Sequence, residues 1–208
     1  MINHELGLIF VHIPCTAGTS IEAWIQGDDQ WSVKPEAKHL TAFQAKSLYR
    51  SHWSSYFKFS IIRDPVDRFI SMLRFPAHFG VRLDSVSGLD ITGYIEKFGF
   101  PVTIEHDHRF ASLDSLELLA SGQGFSLNPL ALYGNILGEE MDRIYCYEDL
   151  GLAVAELSTR FSLNPCVFPR LMQSDTRDSL VIGDEVRELI SLMHAKDSSV
   201  VRQINGNH

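Results

Sequence analysis

The sequence predicts a layered α/β fold around a mainly parallel sheet. Three observations carry that prediction: apolar runs at 8–11, 56–62 and 143–147, helix-spaced segments between them, and turn signals at the junctions. In such folds ligands gather at the carboxyl ends of the strands, where the loops after the first two runs emerge.

The first run, Leu8 to Val11, suits a buried strand and breaks at Pro14. A small, hydroxyl-rich turn follows, Thr16-Ala17-Gly18-Thr19-Ser20, and residues 21–25 read as the first turns of a helix. Orphan N–H groups and the positive end of the macrodipole make a strand–loop–helix of this kind a phosphate cradle in outline. Cys15 occupies the spot where such a loop would most want a cation.

Residues 27–35 are polar and turn-rich and predict a loop. Thr41 can cap a helix through about Arg50, with Phe43, Leu48 and Tyr49 as apolar contacts. The second run, 56–62, ends at Arg63-Asp64-Pro65, where proline and its restricted neighbour force a turn. Helical spacing resumes over 66–75, with Phe69, Ile70, Met72 and Leu73 apolar and Arg68 and Arg74 charged.

Helices are expected at 92–98 and 113–120, with a loop at 99–108. The third run, 143–147, leads into Glu148 and a helix over 149–161 that breaks at Asn164-Pro165. Asp184 can cap a helix to about Ala195, and a short last helix is expected at 197–204. With no internal repeat and 208 residues, the chain predicts a single domain spanning 1–208.

A net charge of −8 argues against broad nucleic-acid binding, because polyanions need a positive surface. A small phosphorylated ligand needs only a few local cations. No stretch approaches the roughly 20 apolar residues of a membrane span. The N-terminus lacks a secretory pattern, with Glu5 where a signal stays uncharged. Cys15, Cys146 and Cys166 are odd in number and lack metal-ligand spacing, which predicts reduced thiols, a cytoplasmic setting and no metal. No feature specifies an oligomeric state.

The second loop changes the weight of the first. Arg63 stands at a strand end, and Ser71 follows eight residues later, about two turns into the next helix. If that helix folds back beside the strand end, both can reach one phosphate, to which a guanidinium donates bidentately. The alternative is an Arg63–Asp67 ion pair with Ser71 facing the core.

The two segments together resemble the 3′-phosphoadenosine 5′-phosphosulfate-dependent sulfotransferase family. FVHIPCTAGTSIE is similar to the 5′-phosphosulfate loop of carbohydrate-type members, which reads H-I-P-K-T-A-G-T-S. FKFSIIRDPVDRFIS is similar to their 3′-phosphate segment, R-[DN]-P-x-x-R-x-x-S. Weaker similarity continues through residues 38–42, 147–150 and 195–197, and fails over 76–135. The resemblance implies a three-layer α/β fold related to P-loop nucleotide kinases. It also implies that phosphosulfate donor, no metal, and an acceptor hydroxyl on a carbohydrate or small molecule.

By the resemblance, Thr16, Gly18, Thr19 and Ser20, with Cys15 and Ala17 in the same loop, would hold the 5′-phosphosulfate. Arg63 and Ser71 would hold the 3′-phosphate. His39 is the candidate general base, because uronyl 2-O-sulfotransferases place a catalytic histidine between the same motifs, and an imidazole pKa of about 6.5 suits proton abstraction. A structural role for His39 is the alternative. His12 reads as a packed histidine orienting the loop, and His106 and His108 as lining an acceptor cleft or facing solvent.

Cys15 stands where the family has a lysine that offsets leaving-group charge. A charged hydrogen bond is worth roughly 1.5–3 kcal/mol, so its loss costs about ten- to a few-hundred-fold. Arg68, Arg74 or Lys38 could substitute; the protein could bind nucleotide without transfer; or Cys15 could have chemistry of its own. A phosphatase Cys-x5-Arg loop is excluded, because residue 21 is Ile, and the G-x-x-x-x-G-K-[ST] pattern of NTPases is absent.

Overall fold

The structure is a computed structural model that describes residues 1–28, 30–34, 37–73, 85–86, 132–171 and 181–198. The expectations for 92–98, 99–108 and 113–120, for Arg74, His106 and His108, and for the last helix beyond residue 198 lie outside the described residues.

The central sheet has four strands in the order β1, β2, β3, β5, where β1 is Ile2–Asn3, β2 Leu8–Val11, β3 Phe57–Ile62 and β5 Arg143–Cys146. β2, β3 and β5 are mutually parallel, with Val11 opposite Ser60 and Ile62 opposite Cys146, so their carboxyl ends share one edge. β1 pairs with β2 antiparallel and was not anticipated; two residues are too few to show a period. A separate parallel pair joins β4, Ser85–Val86, to β6, Val181–Ile182.

Alternation along the strands divides the core in two. Leu8, Phe10, Phe59, Ile61 and Tyr145 pack with Ile21, Trp24 and Ile25 of α1, Gly18–Gln26, and with Ala153 and Leu157. The opposite face, with Ile9, Val11, Ile62 and Cys146, packs on α3, Ala42–Leu48, and α4, Arg50–Trp53, through Ala42, Ala45, Tyr49 and Trp53. Two covered faces explain why the strands read as continuous apolar runs. The expectation of an α/β fold around a mainly parallel sheet is met.

Several boundaries moved. α1 starts at Gly18 rather than Ile21, because Ala17 turns the chain in the left-handed region (φ 66°). The 27–35 loop contains one helical turn, α2, Gln30–Val33. The helix capped by Thr41 stops at Leu48. Its capping box with Gln44 is intact, but Tyr49 leaves helical geometry and α4 sets off anew. Phe43 is 43 % exposed, so it is no core contact; Tyr49, six positions on, takes that place.

Among the described residues of the C-terminal part, α7, Leu150–Phe161, follows a 3-10 turn at Tyr147–Asp149, and α8 is Asp184–Met193. They are preceded by α5, Pro65–Leu73, and α6, Tyr133–Ile136. The cap of α8 is Gly183, with Asp184 in the first turn, where its charge still complements the helix dipole. α8 packs against α5. No described helix is long and apolar enough to cross a membrane.

Candidate functional site

The loop after β2 is held in an expensive shape. Cys15 (φ 65°) and Ala17 (φ 66°) both lie in the left-handed region, which costs a non-glycine residue about 1 kcal/mol or more. Thr16, fully buried, tightens the turn by donating its hydroxyl to the Ile13 carbonyl at 2.8 Å. Ala17 caps α1 without a side-chain hydrogen bond, and the first amide to bond back is Ile21, to the Ala17 carbonyl at 3.1 Å. The amides of Gly18, Thr19 and Ser20 are therefore the open N-terminal donors of α1. Gly18 must be glycine, since a β-carbon there would overlap the His12 ring.

That ring is fixed from behind. Glu22, with no exposure, accepts from His12 Nδ1 at 2.7 Å, from Lys38 Nζ at 3.0 Å and from the Gln30 amide at 3.2 Å. Burial alone would push the Glu22 carboxyl up; the His12 contact and the Lys38 charge overcome it and hold it well below the carboxylate range. His12 is shifted down by burial, which outweighs the pull of Glu22. The folded pair at neutral pH is thus an ionised Glu22 and a neutral His12 donating from Nδ1.

His39 packs its ring 4.3 Å from that of His12. Its Nδ1 lies 3.3 Å from the His12 carbonyl oxygen, so Nδ1 carries the proton and Nε2 is the basic nitrogen. Burial first, then His12 and Lys38, holds its pKa well below the ordinary histidine value. Its backbone is left-handed (φ 60°), a conformation histidine, asparagine and aspartate adopt more readily than most.

The loop after β3 closes on the first. The Asp64 carboxylate accepts from the amides of Val66 and Asp67 at 2.9 and 3.1 Å and so caps α5, with Pro65 at the first helical position. Arg63 donates from Nη1 to the Cys15 carbonyl at 3.3 Å, and its guanidinium stacks 4.4 Å from the Tyr147 ring. Glu148 accepts the Asp64 amide at 2.9 Å, so the end of β5 braces the same turn. Among the described residues no Arg63–Asp67 ion pair forms.

Burial pushes the Cys15 thiol up, and hydrogen bonding to Ser71 with the charges of Arg68 and Arg63 opposes that without cancelling it. Burial thus favours the protonated thiol at Cys15 over the thiolate. The same interactions put Ser71, Arg63 and Arg68 around residue 15. Arg68 is buried, 5.3 Å over the Tyr133 ring. Lys38 is held by Glu22 and is not the substitute cation.

Of the residues the sequence singled out, Cys15, Arg63 and Ser71 converge, and Ala17, Gly18 and Thr19 form the adjoining helix start. Two hydroxyls point elsewhere: Thr16 into the turn, and Ser20 to the Leu171 amide at 3.0 Å. Sequence reading missed Glu22, Tyr133 and the Tyr147 stack. Glu22 had one signal, a lone carboxylate in an otherwise apolar helix start. No group of three or more His, Cys, Asp or Glu side chains that could hold a metal occurs among the described residues.

Residues 1–76 match the family model described as the Sulfotransferase family. The matched segment contains both loops of the site, and it supports sulfotransfer as the general chemistry. No curated protein and no solved structure matches the chain.

The two buried neutral imidazoles set a pH dependence. The unfolded chain protonates them near about pH 6.5, the folded protein only lower, so stability falls as pH drops from 7 to 5. Urea denaturation at both pH values measures the fall. His39→Asn, which suits the left-handed backbone, should remove the larger part of it, since His39 is the more strongly shifted of the two; an undiminished fall would place the linkage elsewhere.

Proposed function

We propose that the protein is a sulfotransferase that moves a sulfuryl group from 3′-phosphoadenosine 5′-phosphosulfate to an acceptor hydroxyl of a carbohydrate or small molecule. In this reading residues 1–208 form one sulfotransferase-like domain with a P-loop-type cradle. The observation that carries it is the contact of Arg63 with the Cys15 carbonyl at 3.3 Å, which joins the two phosphate-type loops at one sheet edge.

The donor would supply an activated sulfuryl group on its 5′-phosphate. The amides of Gly18, Thr19 and Ser20 suit its 5′ end, where N–H dipoles already point outward and need no reorganisation. Thr16 and Ser20 contribute through the backbone, since their hydroxyls are engaged in the fold. Arg63 and Ser71 suit the 3′-phosphate, the group that distinguishes this donor from AMP. His39 Nε2 takes the acceptor proton as the acceptor oxygen bonds to sulfur and the bond from sulfur to the 5′-phosphate oxygen breaks, and Arg68 offsets charge on that leaving phosphate.

A second reading is favoured by Cys15 itself. An uncharged thiol in place of lysine fits a protein that binds the nucleotide and transfers slowly or not at all.

Calorimetry with adenosine 3′,5′-bisphosphate and with AMP tests the Arg63–Ser71 assignment. The native chain should prefer the bisphosphate by roughly tenfold or more, as one charged contact implies, and equal or absent binding overturns it. Cys15→Lys should raise transfer about tenfold or more. No change would mean that the arginines already fill the role, and no transfer by either chain would leave the binding protein as the function. His39→Asn should lower turnover at nearly unchanged nucleotide affinity; parallel loss of both would make His39 structural.

A further inference from the structure

We propose that Tyr133 is a positioning residue for Arg63 and thereby sets the selectivity for a 3′-phosphate; this rests on Arg63 holding that phosphate. β3 ends at Ile62, whose partner Cys146 is the last residue of β5, so the backbone of Arg63 leaves the ladder. A side chain takes over there. The Tyr133 hydroxyl donates to the Arg63 carbonyl at 2.6 Å and accepts from the Arg63 amide at 3.2 Å. With Glu148 on the Asp64 amide, three consecutive backbone groups at the strand end are held by side chains.

The two polar contacts fix the peptide units on either side of the Arg63 Cα and so the direction in which its side chain starts. Its guanidinium then meets the Cys15 carbonyl and the Tyr147 ring. Burial of Tyr133 raises its phenol pKa, so the hydroxyl remains a donor at any working pH.

Tyr133 is itself held from the far end of the chain. Its amide donates to Asp197 Oδ2 at 3.0 Å, and the same oxygen meets His194 Nδ1 at 2.9 Å; both residues are buried. The segment after α8 thus reaches the nucleotide loop through one tyrosine. A pre-set guanidinium forfeits less side-chain freedom when a phosphate binds, which is how such a brace becomes affinity.

The test is calorimetry on the full chain with the native residue, Tyr133→Phe, Asp197→Ala and Asp197→Asn. Tyr133→Phe keeps the ring under Arg68 and removes both hydroxyl contacts. It should weaken adenosine 3′,5′-bisphosphate binding about tenfold, or 1.4 kcal/mol, and AMP binding less than about twofold. Asp197→Ala should show the same selective loss, and Asp197→Asn, which retains a carbonyl acceptor, should restore most of it. These two carry the test if Tyr133→Phe does not fold. A merely structural role would lower the melting temperature while leaving the ratio of the two affinities unchanged, and that result overturns the proposal. A native chain without bisphosphate preference overturns the Arg63 reading first, which separates the two failures.

Discussion

Four segments of the chain meet on one carboxylate that never touches water. Glu22 binds His12 from the loop after β2, the Gln30 amide from α2, and Lys38 from the stretch that also carries His39. A buried charge is tolerable only when fully partnered, and removing one member costs about 3–5 kcal/mol because the rest stay buried and unpaired. That penalty makes the arrangement nearly all-or-none. It holds the His12 ring flat against Gly18, and the ring in turn shapes the start of α1. The open amides at the start of α1 therefore depend on an interaction one layer beneath them.

The second loop is braced by different means. Asp64 caps its own helix, Glu148 holds the Asp64 amide, and Tyr133 holds Arg63. Each is a local polar contact at a strand end, where the sheet offers no further ladder partner. The two loops meet through Arg63 on the Cys15 carbonyl, so a change at position 15 is felt by backbone geometry less than by charge. Cysteine fits the loop; what it lacks is the cation, and among the described residues the charges of Arg68 and Arg63 act on it.

Much of the core was legible because burial on both faces of a parallel sheet leaves an unmistakable mark. Leu8 to Val11 and Phe57 to Ile62 admit no charged side chain but Lys58, whose amine reaches Asp142 at 2.8 Å. Proline marked the turn before α5 in the sequence itself, and the structure adds the Asp64 cap. Phe43 misled because helical spacing identifies a face without saying which elements cover it, and the break at Tyr49 turned that face to solvent.

By itself the sequence determined the three parallel strands, the main helices that follow them, the turns after the first two strands and the absence of lysine from the first turn. These are local properties of spacing, proline, glycine and caps. Only the tertiary structure decided that Glu22 is the hub, that Lys38 is committed to it, that Thr16 and Ser20 turn their hydroxyls away, and that Tyr133 and Asp197 reach Arg63. Those contacts depend on which segments the fold brings together, 16 positions apart for Lys38 and Glu22 and 70 for Tyr133 and Arg63, and their strength comes from exclusion of water, which no stretch of sequence carries before the layers close.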